Sequence, residues 1–256
     1  MSENKSAECV NVKPQNPALI IMKRELRAYY TSPVAYFVSA LFLIFSGVYF
    51  YFGFMPFYGG FFLMDRAELR AFFSVLPLIL SCFIPALTMR LFAEEKRAGS
   101  IETLMTLPVT EFDVVLGKYL SSFLGTLIML LPTLIFIIPA EIFGSPDYGP
   151  IVGGFIGAIF LCASFTAIGI FTSAITKNQI VAFLAGIAIC LALSLIDFML
   201  IFLPSSLSAL LTFLSARSHF TSVARGIIDT RDLIYFISLT ALFFAATVKV
   251  QQNAKA

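Results

Sequence analysis

The stretch EEKRAGSIETLMTLPVTEFD, residues 94–113, gathers charge in a chain that otherwise avoids it. Glu94, Glu95, Lys96, Arg97, Glu102, Glu111, Asp113 and Lys118 fall within 25 residues, although only 12% of the chain is charged. Ile101, Leu104 and Met105 nevertheless stand at i, i+3 and i+4, the spacing of one helical face. Gly99 can close one helix, and Ser100 can cap another whose first turn carries Glu102 against the helix dipole. Pro108 stops that second helix. Thr110-Glu111-Phe112-Asp113 then fits a capping pattern and starts a third. The reading is a short amphipathic helix held between two longer ones. Its apolar face has little of its own chain to bury against, so it is shaped for a groove on a partner. A solvated loop with snorkelling lysines is the plainer alternative.

What lies on either side decides the class. The 256 residues are 59% hydrophobic, with a mean hydropathy of +0.93. Apolar runs as long as a bilayer is thick define an integral membrane protein. These runs are apolar on all faces rather than in alternation, so they are helices and not barrel strands. The fold class is all-α, with six spans at about 33–54, 69–91, 114–140, 150–176, 180–203 and 231–248. Pro77 and Pro85 are expected to kink the second span, and Pro132 and Pro139 fall late in the third. Gly153 and Gly157 form a small-xxx-small pair in the fourth, which permits close packing. Residues 1–16 read as a disordered cytoplasmic tail without the apolar core of a signal peptide. Residues 17–256 read as a single transmembrane domain. Between tail and spans, Leu19, Met22, Leu26 and Tyr29 share a face over residues 18–30, while Lys23, Arg24 and Arg27 point elsewhere. This is the pattern of an interfacial helix, ended by Ser32-Pro33; the first turn of the next helix is the alternative.

Charge placement sets orientation. With the N-terminus inside, twelve Lys and Arg fall on the inner segments and five on the outer ones: Arg66, Arg70, Arg217, Arg225 and Arg231. That is a positive-inside bias with both termini cytoplasmic. A net charge of +2 argues against nucleic acid as a partner. The four cysteines show no CxxC or Cys/His spacing, so a metal site or disulfide framework is not expected. No G-x-x-x-x-G-K-[ST] occurs, so this chain has no P-loop for ATP.

The outer connection, residues 204–230, is too polar to span. Leu207, Leu210, Leu211 and Leu214 make one apolar helical face, and Phe220, Val223 and Ile227 make a second. Two short amphipathic helices are expected there, either re-entering the outer leaflet or forming an ordinary interfacial hairpin. His219, the single histidine, shows no partner in the sequence and reads as a polar interface residue rather than a pH sensor. Arg217, Arg225, Asp229, Arg231 and Asp232 are expected to pair locally. Asp197 lies near the outer end of the fifth span, where it either snorkels, pairs with an outer arginine or lines a polar path.

MRLFAEEKRAGSIETLMTLPVTEFDVVLGKYLSSF, residues 89–123, resembles the coupling-helix signature of ABC-2-type transporter permeases. MKRELRAYYTSPVAYF near the start and SHFTSVARGIIDTRDLIYFISLTALFF near the end resemble the gliding-motility-associated, GldF-like branch. The likeness runs from about residue 18 to 250. It implies a six-helix transmembrane subunit of an exporter in a bacterial cytoplasmic membrane. Its implied partners are two ABC ATPase subunits and a second permease subunit, either the same chain or a paralogue. It implies that ATP and Mg are bound by the ATPase, with no cofactor in this chain. Carried over by position, Glu94, Glu95, Lys96, Arg97, Gly99, Ser100, Ile101, Glu102, Leu104, Met105 and Pro108 form the ATPase contact. Leu210, Leu214 and Phe220 correspond to an outer gate.

Two other classes fit less well. An intramembrane protease would need more than one histidine, and EEKRAG has Gly99 where an E-E-x-x-x-R motif needs arginine. A secondary transporter would place several ionisable groups at mid-membrane, where only Asp197 comes close.

Overall fold

A computed structural model describes residues 16–54, 58–59, 69–99, 110–144, 146–199, 211–227 and 229–255. Helix α1, Pro17–Thr31, ends at Ser32, whose extended backbone breaks the ladder before Pro33 opens α2, Pro33–Phe52. Gly53 closes α2 at φ 71° and begins a two-residue antiparallel pair, Gly53–Phe54 with Tyr58–Gly59, which the sequence did not announce. Helices α3, Arg70–Thr88, and α4, Arg90–Ala98, follow one another through Met89. Helix α5, Glu111–Leu130, passes into a 3-10 segment, Leu131–Phe136, and then α6, Ile137–Phe143. Pro132 has no N–H to continue the α pattern, which accounts for the tightening there. Helices α7, Tyr148–Ile175, α8, Gln179–Met199, α9, Ala216–Ala224, and α10, Thr230–Lys255, complete the described chain. Six helical stretches are long and apolar enough to cross a membrane.

The two stretches flanking residues 94–113 are longer than a bilayer requires. Arg70–Ala98 has 29 residues and Glu111–Phe143 has 33. At helical rise they reach about 43 and about 50 Å, against a hydrocarbon core of about 30 Å. The charge in both stretches is concentrated in α4 and at the start of α5, on either side of residues 100–109, and these two segments together are called the stalk.

Helix α7 is the hub, with α3, α8, α9 and α10 packed around it. Its glycines set the spacing. A side chain at Gly154 would meet the Phe73 ring at 2.5 Å, and one at Gly169 would meet Thr88 Oγ1 at 2.0 Å. The small-xxx-small pair also permits close packing, but its partner is α9 rather than another span. A Cβ at Gly153 would lie 2.4 Å from the Val223 carbonyl oxygen, and one at Gly157 would lie 3.2 Å from the Phe220 ring. Gly226 ends α9 at φ 86°, a conformation that suits glycine, and sits against the backbone of Gly149. Around this hub, Phe42, Phe72, Phe73, Phe165, Phe220 and Phe236 are almost wholly buried.

The second span passes from α3 to α4 near its inner end. Pro77 and Pro85 both lie inside α3 without ending it. The interruption falls at Met89, where the Ser173 hydroxyl of α7 enters the backbone ladder. It accepts from the N–H groups of Phe92 at 3.1 Å and Ala93 at 3.2 Å, and donates to the Met89 carbonyl at 2.9 Å. A side chain inserted in the ladder is a recognised cause of helix bending.

Gly153→Ala should force the α7 and α9 backbones apart, costing about 1–3 kcal/mol as overpacking does. Thermal unfolding in detergent should show it as a lowered midpoint. Gly149→Ala, which meets only the Asp147 carboxylate at 3.4 Å, should unfold close to the unsubstituted protein.

Candidate functional site

The stalk is where the sequence and the packing converge. Thr110 caps α5 as its pattern requires: its hydroxyl oxygen accepts from the Asp113 N–H at 3.2 Å and its O–H reaches Asp113 Oδ2 at 2.6 Å. Gly99 ends α4 in the left-handed conformation, at φ 71°. Of the residues expected to contact an ATPase, Glu94, Glu95, Lys96 and Arg97 lie in α4 and Gly99 is its cap. Ser100, Ile101, Glu102, Leu104, Met105 and Pro108 lie outside the described residues.

The four charged residues of α4 do not form one surface. Glu94 and Arg97 are exposed. Lys96 turns back and donates to the Ala174 carbonyl near the end of α7. That carbonyl lacks an intrahelical partner, and a cation there also complements the helix dipole. Glu95 turns inward and meets a residue that the sequence placed among the ordinary inner lysines.

That residue is Lys118, on α5, with its side chain wholly buried. Its ammonium donates to Glu95 Oε1 at 2.8 Å, to the Leu91 carbonyl at 2.9 Å and to Glu25 Oε1 of α1 at 3.4 Å. Three partners account for its three protons. The Phe92 ring closes the remaining side, 5.1 Å from the charge, within cation–π range. At the rim, Arg24 Nη2 lies 2.7 Å from Glu25 Oε1 and 3.8 Å from Glu95 Oε1. Two cations thus face two carboxylates contributed by three helices.

The same contact explains how α1 packs. Its buried stripe is Ala18 and Ile21, followed by the half-buried Glu25 and Tyr29. The stripe expected from hydrophobicity was Leu19, Met22, Leu26 and Tyr29; in the structure Leu19 is exposed and the other three are half-buried. Helix α5 selects the face by size. Gly117 admits the Ala18 backbone and Ile21 side chain, Gly125 admits the Tyr29 ring, and Lys118 between them requires a carboxylate. The Tyr29 hydroxyl donates to the Leu87 carbonyl at 2.5 Å. Burial, with Tyr30 adding to it and Arg90 opposing, pushes this phenol up from its ordinary range and so keeps it a donor.

Residues expected at an outer gate are divided. Phe220 is fully buried against Phe73 and Gly157, whereas Leu214 is half exposed and Leu210 lies outside the described residues. Phe220 and Val223 do form the buried face of α9, but Ile227 is exposed beyond Gly226. His219, read as unpartnered, has partners. Its Nδ1 lies 2.6 Å from Asp232 Oδ1, its Nε2 lies 3.0 Å from the Phe213 carbonyl, and its ring stacks on Tyr235 at 4.2 Å. Asp232 therefore pairs with the histidine and ties α9 to α10. Asp197 Oδ1 is buried with no hydrogen-bond partner among the described residues.

A family model described as ABC-2 family transporter protein matches residues 36–248. That is well over half the chain, so the protein belongs to the ABC-2 family of transporter proteins, as a multi-pass membrane permease. No individually curated protein matches the chain.

Lys118→Met should lower stability by about 3 kcal/mol, because it removes the buried cation that Glu25 and Glu95 share and leaves only Arg24 at the exposed rim. Adding Glu25→Gln and Glu95→Gln should recover much of that loss. Unfolding midpoints of the single and triple variants in detergent check both statements.

Proposed function

We propose that this permease couples ATP hydrolysis by a separate ABC ATPase to export across a bacterial cytoplasmic membrane. In this reading residues 100–108 form the coupling helix, with Ile101, Leu104 and Met105 seated in a groove on the ATPase. Glu94, Arg97 and Glu102 contribute charge at its edge. The complex holds two ATPase subunits, which bind ATP and Mg, and a second permease subunit. Both chain termini are cytoplasmic, and the GldF-like branch supplies the nearest functional analogy.

The observation that carries the reading is the Lys118 knot. Residues 99–110 connect α4 to α5, and Glu95 and Lys118 join those two helices just above that connection. A force applied to the connecting segment therefore reaches both membrane helices at once, and α1 with them through Glu25. An untied loop would absorb the same force by flexing. The helices on either side exceed the length a bilayer requires, which supports a site for the segment within reach of a water-soluble motor.

Leu104→Asp puts a charge into the apolar face and should abolish ATPase binding while membrane insertion is unchanged. ATPase recovered with tagged permease, compared with the unsubstituted chain, measures this; equal recovery would remove the coupling role. Topology provides an independent check. Reporters fused at residue 145 and after residue 215 should read as external, and those at 106 and 256 as cytoplasmic.

A further inference from the structure

Between α1, the start of α2 and the α3–α4 joint lies a cleft of about 340 Å³. Its walls change character at one level. Val34, Ala35, Ala86 and Leu87 line it on the side of the spans, and Arg90 and Glu94 line it beyond them. Helix α2 begins at Pro33 and α3 ends at Thr88, so the change coincides with the level at which two adjacent spans pass from apolar to charged sequence. That level is where a bilayer places its headgroups.

The charges in the wall are only partly used. Glu25 and Glu95 are committed to Lys118 and Arg24. Arg90 makes one long hydrogen bond, from Nη1 to Ser32 Oγ at 3.4 Å, and its Nε has no acceptor. Glu94 is exposed one helical turn further on and makes no ion pair with Arg90 among the described residues. A guanidinium with one long hydrogen bond and a carboxylate with no ion pair among the described residues thus face the same space, as i and i+4 neighbours.

We infer that this cleft binds the headgroup of an ethanolamine phospholipid, with phosphate on Arg90 and Ser32 and ammonium on Glu94. Arginine matches phosphate geometry through paired N–H donors. A primary ammonium donates hydrogen bonds to a carboxylate. The volume falls at the low end of small-ligand sites, enough for a headgroup and glycerol. The acyl chains continue along the Ala35 and Leu87 side into the bilayer. A lipid such as phosphatidylglycerol is disfavoured relative to it because it offers Glu94 no ammonium to pair with. A nucleotide is disfavoured more strongly, since three carboxylates line the cleft. The bound lipid would brace α1 against the α3–α4 joint beside the Lys118 cluster, whose Glu25 and Glu95 share the cleft wall.

The test uses the full chain in nanodiscs containing equal phosphatidylethanolamine and phosphatidylglycerol, with lipid retained after mild detergent extraction read by native mass spectrometry. Phosphatidylethanolamine should be retained over phosphatidylglycerol by about tenfold, and Arg90→Gln and Glu94→Gln should each reduce that preference several-fold. Ala35→Phe fills the cleft without altering a charge and should abolish retention. Soluble glycerophosphoethanolamine should not displace the lipid, because it lacks the chains that the apolar walls hold. Equal or greater retention of phosphatidylglycerol would overturn the inference. So would full retention in Ala35→Phe or in both charge variants, or displacement by the soluble headgroup. The measurement needs neither ATP nor a partner, so its outcome is separate from that of the coupling experiment.

Discussion

A lysine ammonium buried beneath three helices is the constraint on which the base of this protein depends. Lys118 is tolerable there only because each of its protons has an acceptor and because carboxylates arrive from two other helices. An ion pair of this kind adds little net stability compared with apolar packing, since desolvation offsets most of the attraction. It adds exclusivity. An apolar patch would let α1 slide or rotate on α5, whereas a charge without its carboxylates would be severely unfavourable. The arrangement of α1, α4 and α5 is thereby limited to one register.

The rest of the bundle is organised by small residues around α7. Gly154 and Gly169 bring α3 close, and Gly153 and Gly157 bring α9 close. In an apolar solvent, burying more hydrocarbon gains little, and close van der Waals packing with shared hydrogen bonds decides association. Ser164 illustrates the second contribution. It reaches the Phe236 carbonyl at 3.0 Å and Thr240 Oγ1 at 3.1 Å, and so fastens α10 to the hub. Ser173 performs the corresponding task for the α3–α4 joint.

The spans were legible in the sequence because their signal is length and hydropathy, which need no knowledge of neighbours. The Ser32-Pro33 break, the Gly99 terminus and the Thr110 cap were legible for a related reason: each rests on local backbone chemistry. Lys118 was not. Taken alone it is one more inner lysine, and its role appears only when Glu25, 93 residues away, and Glu95, 23 residues away, are placed beside it. A faint signal did exist. Lys118 stands on the same face of α5 as Gly117, Ser121, Ser122 and Gly125, a stripe of small residues that calls for a close neighbour. On α1, Met22, Leu26 and Tyr29 are half-buried and Leu19 is exposed. The buried Ala18 and Ile21 stand on the slimmer side that the glycines of α5 admit, a preference hydropathy alone does not single out. The joint at Met89 was not foreseen, because a serine on another helix leaves no mark in the local sequence.

Both ends of α7 are fixed to other elements through the main chain. At one end Ser173 and Ala174 hold the backbone of α4 and the Lys96 side chain; at the other, Gly153 lies against the Val223 carbonyl with no side chain interposed. The helix between them has 28 residues and, at helical rise, is about 42 Å long. Each junction includes a contact made by main-chain atoms, the α4 backbone on the short Ser173 side chain and Gly153 against the Val223 carbonyl. Helix α7 is thus one unbroken rod that reaches from the stalk at one face of the bundle to α9 at the opposite face, the geometry through which a displacement of either end would be felt at the other.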